Sequence, residues 1–200
     1  MCFDQEKDAL ISRVEGLYQW YSPGSDRESM KKRLCGHPGT EVDLVMQNGS
    51  LLAFGVCVPK VLSTTGESCI FRHGVVIDPK AQSQGLYRSL LRRTIERHWP
   101  HWVGTRTQNP RIYETWHTRF GDKLYPHPNK VHNETIQGIG VELSTGEPSF
   151  DPFTFTVRDV YPEDRTGVPY HECRAPWIAD FFAKRLGAHD AMILLARVHF

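Results

Sequence analysis

Val75-Val76-Ile77-Asp78-Pro79-Lys80-Ala81-Gln82-Ser83-Gln84-Gly85-Leu86-Tyr87-Arg88-Ser89-Leu90-Leu91 is the stretch whose reading decides the fold. Its β-branched start reads as a buried strand. A polar segment with a proline and a glycine follows, and then the period changes. Leu86, Tyr87, Leu90, Leu91 and Ile95 fall on one helical face, with Arg88, Arg92, Arg93, Glu96 and Arg97 on the other, which predicts a helix from Gln84 to His98. A strand that delivers a short polar loop onto a helix start makes an anion site. The first amides of a helix lack internal acceptors, the helix dipole adds partial positive charge, and Gly85 has no side chain to obstruct a phosphate.

Upstream, Glu41 to Gln47 alternates, and Asn48-Gly49 supplies two residues that tolerate positive φ in a hairpin turn. The next strand, Leu51 to Pro59, is apolar on both faces, as a centrally placed strand would be, with Gly55 as a candidate bulge. Glu67 to Asp78 completes an antiparallel meander. Before it, residues 5 to 20 carry Ala9, Leu10, Val14, Leu17 and Tyr18 at helical spacing, and a shorter helix fits Asp26 to Leu34.

Downstream, a strand is expected around Trp102 to Thr105. Asn109-Pro110 reads as a cap followed by proline at the first helical position, which starts a helix to Phe120. The order strand, helix, strand, helix places two parallel strands side by side through a crossover. Past Gly121 the pattern weakens: a loop over Tyr125 to His132, a short helix or a strand over Glu134 to Leu143 with the helix preferred, a strand over Phe153 to Val160, a loop over Tyr161 to Tyr170, a helix over Ala175 to Leu186 and a closing strand over Ala191 to Phe200.

The chain has 200 residues, 40% of them hydrophobic, enough for one globular domain over residues 1–200. Its 24 basic residues balance 23 acidic ones, so no nucleic-acid partner is expected. The longest apolar runs, such as Leu51 to Val58, fall short of the roughly 18 residues a membrane-spanning helix needs. Met1 to Lys7 lacks the basic start and apolar core of a secretory signal, so a cytoplasmic protein is expected. Five scattered cysteines without a CxxC pair argue for reduced thiols and against a thiolate zinc site. Pro100 breaks the shared face of His98 and His101, and no metal is expected there.

Gln82-x-x-Gly85-x-Tyr87 after a strand resembles the acyl-CoA-binding motif of the GCN5-related N-acetyltransferase (GNAT) superfamily, and the element order matches that fold over residues 5–121. The resemblance implies an α/β protein with a mixed central sheet, an antiparallel N-terminal meander and helices on both faces, extended by residues 122–200. It also implies acetyl-CoA or another acyl-CoA as co-substrate and an amine of a small molecule or peptide as acceptor. The pyrophosphate would lie on the amides of Gln82, Ser83, Gln84, Gly85, Leu86 and Tyr87, with Arg88 adding charge. The pantetheine arm would run beside Val75, Val76 and Ile77 and meet Asn109.

Two departures bear on chemistry. Tyr87 stands where the motif has a second small residue, and its ring is expected on the helix flank. Trp116 stands where many relatives have a tyrosine that protonates the departing thiolate; Tyr113, one turn earlier, or His117 could replace it, or the thiolate leaves unassisted. A base must take a proton from the attacking ammonium, and His73, on the motif strand with a side chain that titrates near neutrality, is the first candidate, with Glu67 the second. An acceptor pocket is expected around Tyr18, Trp20 and Tyr21. A non-catalytic acyl-CoA-binding or protein-interaction module on the same fold, O-acyl transfer, hydrolysis and decarboxylation remain open, and pairing of the final strand would allow a homodimer.

Overall fold

The computed structural model describes residues 2–22, 24, 26–144, 149–161 and 173–198. In chain order these form α1 (Cys2–Tyr21), α2 (Arg27–Cys35), β1 (Glu41–Gln47), β2 (Ser50–Val61), β3 (Ser68–Ile77), α3 (Leu86–His98), β4 (Trp102–Thr107), α4 (Pro110–Phe120), β5 (Leu124–Tyr125), α5 (Glu134–Leu143), β6 (Phe150–Asp151), β7 (Thr156–Val157), α6 (Pro176–Ala183) and β8 (Ala191–Arg197). The result is a mixed α/β protein with eight strands, antiparallel in the β1–β2, β4–β8, β5–β8, β6–β7 and β7–β8 pairs. Its residues fall into two compact units, one of residues 1–59 and 72–98, the other of 60–71 and 99–200.

In the first unit the strand order is β1-β2-β3. Asn48 and Gly49 take φ of 50° and 80° at the hairpin tip, the two positive values that a tight turn between twisted strands requires. The register sorts the side chains onto two faces. Val42 opposite Val56 and Leu44 opposite Phe54 pack with Ile11, Val14, Tyr18, Met30 and Leu34 of α1 and α2. Glu41 opposite Cys57 and Asp43 opposite Gly55 face α3, whose Arg97 donates from Nη1 and Nη2 to the Asp43 carboxylate at 2.9 and 2.8 Å. Residues 53–57 of β2 are buried throughout, as a strand covered on both faces must be. The ladder runs unbroken past Gly55 and slips instead between Val45 and Met46. A Cβ on Gly55 would touch Val75, Leu90 and Arg72 at 3.6 to 3.9 Å, ordinary contact, so the β1–β2 ladder has no bulge at this glycine.

In the second unit the opening residues of β3 lead to the order β4-β8-β7-β6, with β5 also on β8. Trp102 opposite Arg197 through Thr107 opposite Met192 form its longest ladder. Leu62, Cys69 and Phe71 pack there with Ile136, Ile139 and Leu143 of α5, Phe155, and Ile193 and Leu195 of β8. Asn133 caps α5 by accepting from the Ile136 amide at 2.9 Å.

The strand expected over Phe153 to Val160 shrinks to Thr156–Val157. Asp151 accounts for it. Its carboxylate accepts from the Phe153 amide and the Thr154 hydroxyl at 2.9 and 2.6 Å, its carbonyl accepts from the Phe155 amide at 2.8 Å, and Phe155 takes a φ of 60°. Local side-chain bonding of this kind competes with a ladder. Likewise α6 ends at Ala183 rather than Leu186. The loop expected over Tyr161 to Tyr170 lies, beyond Tyr161, outside the described residues. Among those residues no helix is long and apolar enough to cross a membrane, and Cys35, Cys57, Cys69 and Cys173 are free thiols.

Candidate active site

Gly85 sits in the left-handed region, with φ of 79°, at the mouth of the β3–α3 loop, and Ser83 has φ of 63°. Nothing lies within 4 Å of where a Gly85 Cβ would stand. The loop is built from its own side chains. Asp78 accepts from the Lys80 amide at 2.8 Å, Gln82 donates to the Ile77 carbonyl at 3.4 Å, and Gln84 donates to the Lys80 carbonyl at 3.1 Å. The Asp78 amide ties the end of β3 back to the Leu52 carbonyl at 2.8 Å. The Ser89 amide, bonded to the Gly85 carbonyl at 3.0 Å, closes the first full turn of α3. The turn ahead of it is the part of a helix whose amides have no acceptor within the helix. Lys80 and Arg88 are exposed beside it, so the open space next to Gly85 is both sterically free and positively biased.

Tyr87 does not crowd that space. Its ring packs on the guanidinium of Arg72, 4.8 Å from the centroid, a cation–π contact with an arginine that is 3% exposed. Arg72 and Val75 both reach the side of the sheet on which a Gly55 Cβ would stand, whereas His73 and Val76 both face the α1–α2 side. Side chains three apart on one face mean that the alternation of β3 slips by one residue around Gly74. A slip of this kind interrupts the regular pairing of the backbone beside it.

His73 opens into a cleft walled by Tyr18, Tyr21, Leu34, Phe54, Val56, Gly74, Val75 and Val76. Tyr18 stacks on Phe54 with centroids 6.4 Å apart, and Tyr21 meets Tyr18 edge-on at 6.4 Å. Trp20, expected in the same pocket, is 50% exposed and does not line the cleft. The imidazole of His73 stacks on that of His37, 4.9 Å between centroids and 25° between planes. His37 belongs to the exposed Gly36-His37-Pro38-Gly39 turn. An isolated histidine in a loop carries no periodic signal, so the sequence does not single it out.

The remaining expected site residues belong to the second unit. Glu67 accepts from Arg197 Nη2 and Nη1 at 2.7 and 3.0 Å and from Trp102 Nε1 at 2.6 Å. The Arg197 hydrogen bond, then that of Trp102, hold its carboxyl below the ordinary 4.5. The stability this contributes is therefore complete above that pH and is lost as the pH falls through the lowered value. Tyr113 is fully buried, donates to the Pro126 carbonyl at 2.9 Å and packs among Trp177, Phe181 and Phe182. Burial pushes its phenol well above the usual range. Trp116 is fully buried too. Asn109 uses its side-chain oxygen to cap α4, accepting from the Arg111 amide at 2.9 Å.

No family model matches the chain, and no curated protein matches it. Solved structures do. The ribosomal-protein-S18-alanine N-acetyltransferase from Escherichia coli superposes with a TM-score of 0.52 at 13% identity, over 95% of this chain and 88% of that one. The IAA acetyltransferase from Bacillus cereus ATCC 14579 gives a TM-score of 0.48 at 10% identity, over 92% and 91%. At such identities the likeness concerns the path of the backbone, and the meander, the β3–loop–α3 unit and the closing strand are the features in common with the order of elements read from the sequence: this chain has the fold of the GCN5-related N-acetyltransferase superfamily.

Proposed function

We propose that the chain is an acyltransferase that moves an acetyl or other short acyl group from acyl-CoA to an amine, by direct attack within a ternary complex. The observation that carries the reading is the open, positively biased mouth of the β3–α3 loop, where Gly85 leaves room against the first turn of a helix. The E. coli protein with this fold is, by its name, an N-acetyltransferase, which supports the same reaction class.

In this reading the amides from Gln82 to Tyr87 hold the pyrophosphate, Arg88 adds charge, and Val75, Val76 and Ile77 flank the pantetheine arm. The slipped backbone around Gly74 offers donors to the oxyanion that develops at the thioester carbonyl. His73 removes the proton that an ammonium must lose before it attacks. His37, stacked on His73 and open to solvent, holds that imidazole in place, and the proton leaves to solvent. The carbon–nitrogen bond forms, the carbon–sulfur bond breaks, and the sulfur leaves as a thiolate that takes up the second proton shed by the nitrogen, with no dedicated acid needed because thiols are fairly acidic. Holding both reactants in one cleft supplies much of the acceleration.

Glu67 and Tyr113 take no part in proton transfer here. An ion-paired carboxylate with a lowered pKa is a poor base, and a phenol already committed to a carbonyl is a poor acid. Tyr113→Phe should leave turnover within about threefold of the parent while lowering stability by about 1–2 kcal/mol, because it orphans a buried carbonyl. Chemical denaturation and a steady-state assay read the two separately, and a loss of turnover without loss of stability would reinstate Tyr113 as the acid.

The test of the reading is amine-dependent release of free CoA thiol from acetyl-CoA, followed with a thiol reagent across a panel of apolar, aromatic and polycationic amines. Release that depends on both the amine and the protein is the expected result. Binding of acetyl-CoA without turnover on any amine would leave a non-catalytic binding module, and release without amine would make the protein a hydrolase.

A further inference from the structure

On the opposite face of the first unit's sheet, away from the aromatic cleft, three different metal-ligand side chains converge. Glu41 and Cys57 are direct partners in the β1–β2 ladder, so their side chains share a face, and α3 packs on that face and ends in His98. One ligand atom from each of the three lies within 4.8 Å of the other two, and His98 Nε2 is 2.9 Å from Glu41 Oε2. We propose that Glu41, Cys57 and His98 bind a zinc ion, with water completing a tetrahedron.

The donor set selects the ion. Magnesium and calcium want oxygen only, whereas one thiolate, one imidazole and one carboxylate suit zinc. Zinc–ligand bonds of roughly 2.0–2.3 Å imply edges of about 3.3–3.8 Å between donors, so Glu41 Oε2 and His98 Nε2, at 2.9 Å, must part slightly to admit the ion, while all three donors already lie within 4.8 Å of one another. Cys57 is fixed in the sheet at 3% exposure, but the Glu41 and His98 side chains are 36% and 18% exposed. They can turn inward, and they leave the ion a route from solvent.

Arg97 is the competitor. Its Nη2 is 3.2 Å from Glu41 Oε2, and its Nε donates to His98 Nε2 at 3.2 Å. The same guanidinium is already gripped at two nitrogens by Asp43, which also accepts from the Thr94 hydroxyl at 3.4 Å. Asp43 can therefore keep Arg97 while Glu41 and His98 turn to the ion. Glu41 and Asp43 bring negative charge toward the Cys57 thiol, and Arg97 and Arg72 oppose them. Capture releases the thiol proton to solvent and leaves a bound thiolate.

The experiment uses the full chain stripped with a chelator. Cobalt(II), the spectroscopic stand-in, should produce a thiolate-to-metal charge-transfer band at one equivalent, and zinc should displace it. Cys57→Ser should abolish the band and weaken zinc binding, measured by competition with a chromophoric chelator, at least ~100-fold, the scale of losing one of the few ligands that share a zinc site's binding energy. His98→Gln, at a part-exposed helix end where refolding is not at stake, should weaken zinc comparably, Cys35→Ser should change nothing, and Arg97→Gln should tighten binding. No charge-transfer band in the parent protein, or zinc affinity unchanged in both Cys57→Ser and His98→Gln, would overturn the site. Neither readout depends on acyl transfer.

Discussion

Gly85→Asp should lose acetyl-CoA binding by at least ~100-fold, while Gly85→Asn stays within about tenfold of the parent, because the two differ chiefly by one negative charge placed against a pyrophosphate. Position 85 has φ of 79°, a region that Asp and Asn tolerate better than other side chains do. Backbone strain is thus nearly common to both variants. Since a Cβ at Gly85 meets nothing within 4 Å, both should fold, and near-ultraviolet circular dichroism alongside calorimetry establishes that. Equal affinity in the Asp and Asn variants would mean that no anion rests beside Gly85.

His73→Gln should lower kcat/KM by about 10²–10³, in the range of a positioned general base, with acetyl-CoA affinity changed less than about threefold. Its pH–rate profile should also lose the limb that rises as an imidazole gives up its proton. His37→Asn should have a smaller effect, because it removes the exposed ring stacked on His73 and leaves the base itself in place. A pH profile that is unchanged in His73→Gln between pH 6 and 9 would remove His73 from proton transfer.

The parts of the fold that could be read from sequence are those with a strong local signal. Asn48-Gly49 demanded a tight turn, the period of Leu86 to Ile95 demanded a helix, and Asn109-Pro110 marked the start of α4 at the residue where the structure has it. The region from Leu124 to Val157 was poorly legible because its strands are two residues long, too short to show a period, and because Asp151 bends the chain through bonds to its own neighbours. Strand β8 was visible as an apolar run, yet its pairing with β4, β5 and β7 is long-range and leaves no local trace.

The candidate site divides in the same way. Gly85 announces itself, since a glycine between a strand and a helix marks a positive φ or a close approach to the backbone. His37 does not, because its partner lies 36 positions on in the chain and only the packing of α2 against the sheet brings the rings together. Simple alternation along β3 would put His73 on one face with Cys69 and Phe71. The slip around Gly74 turns His73 toward Tyr18 and leaves Arg72 to support Tyr87. Glu41, Cys57 and His98 were invisible for a related reason: 57 positions separate the first from the last, and they meet through strand register and a helix crossing.

The central claim is that the β3–α3 loop binds the diphosphate of coenzyme A. Calorimetric titration of the full chain with acetyl-CoA, free CoA and ATP at one salt concentration tests it most directly. Micromolar binding of both CoA species with no heat from ATP is the predicted result. Silence from all three, or equal heats from ATP and CoA, would contradict it.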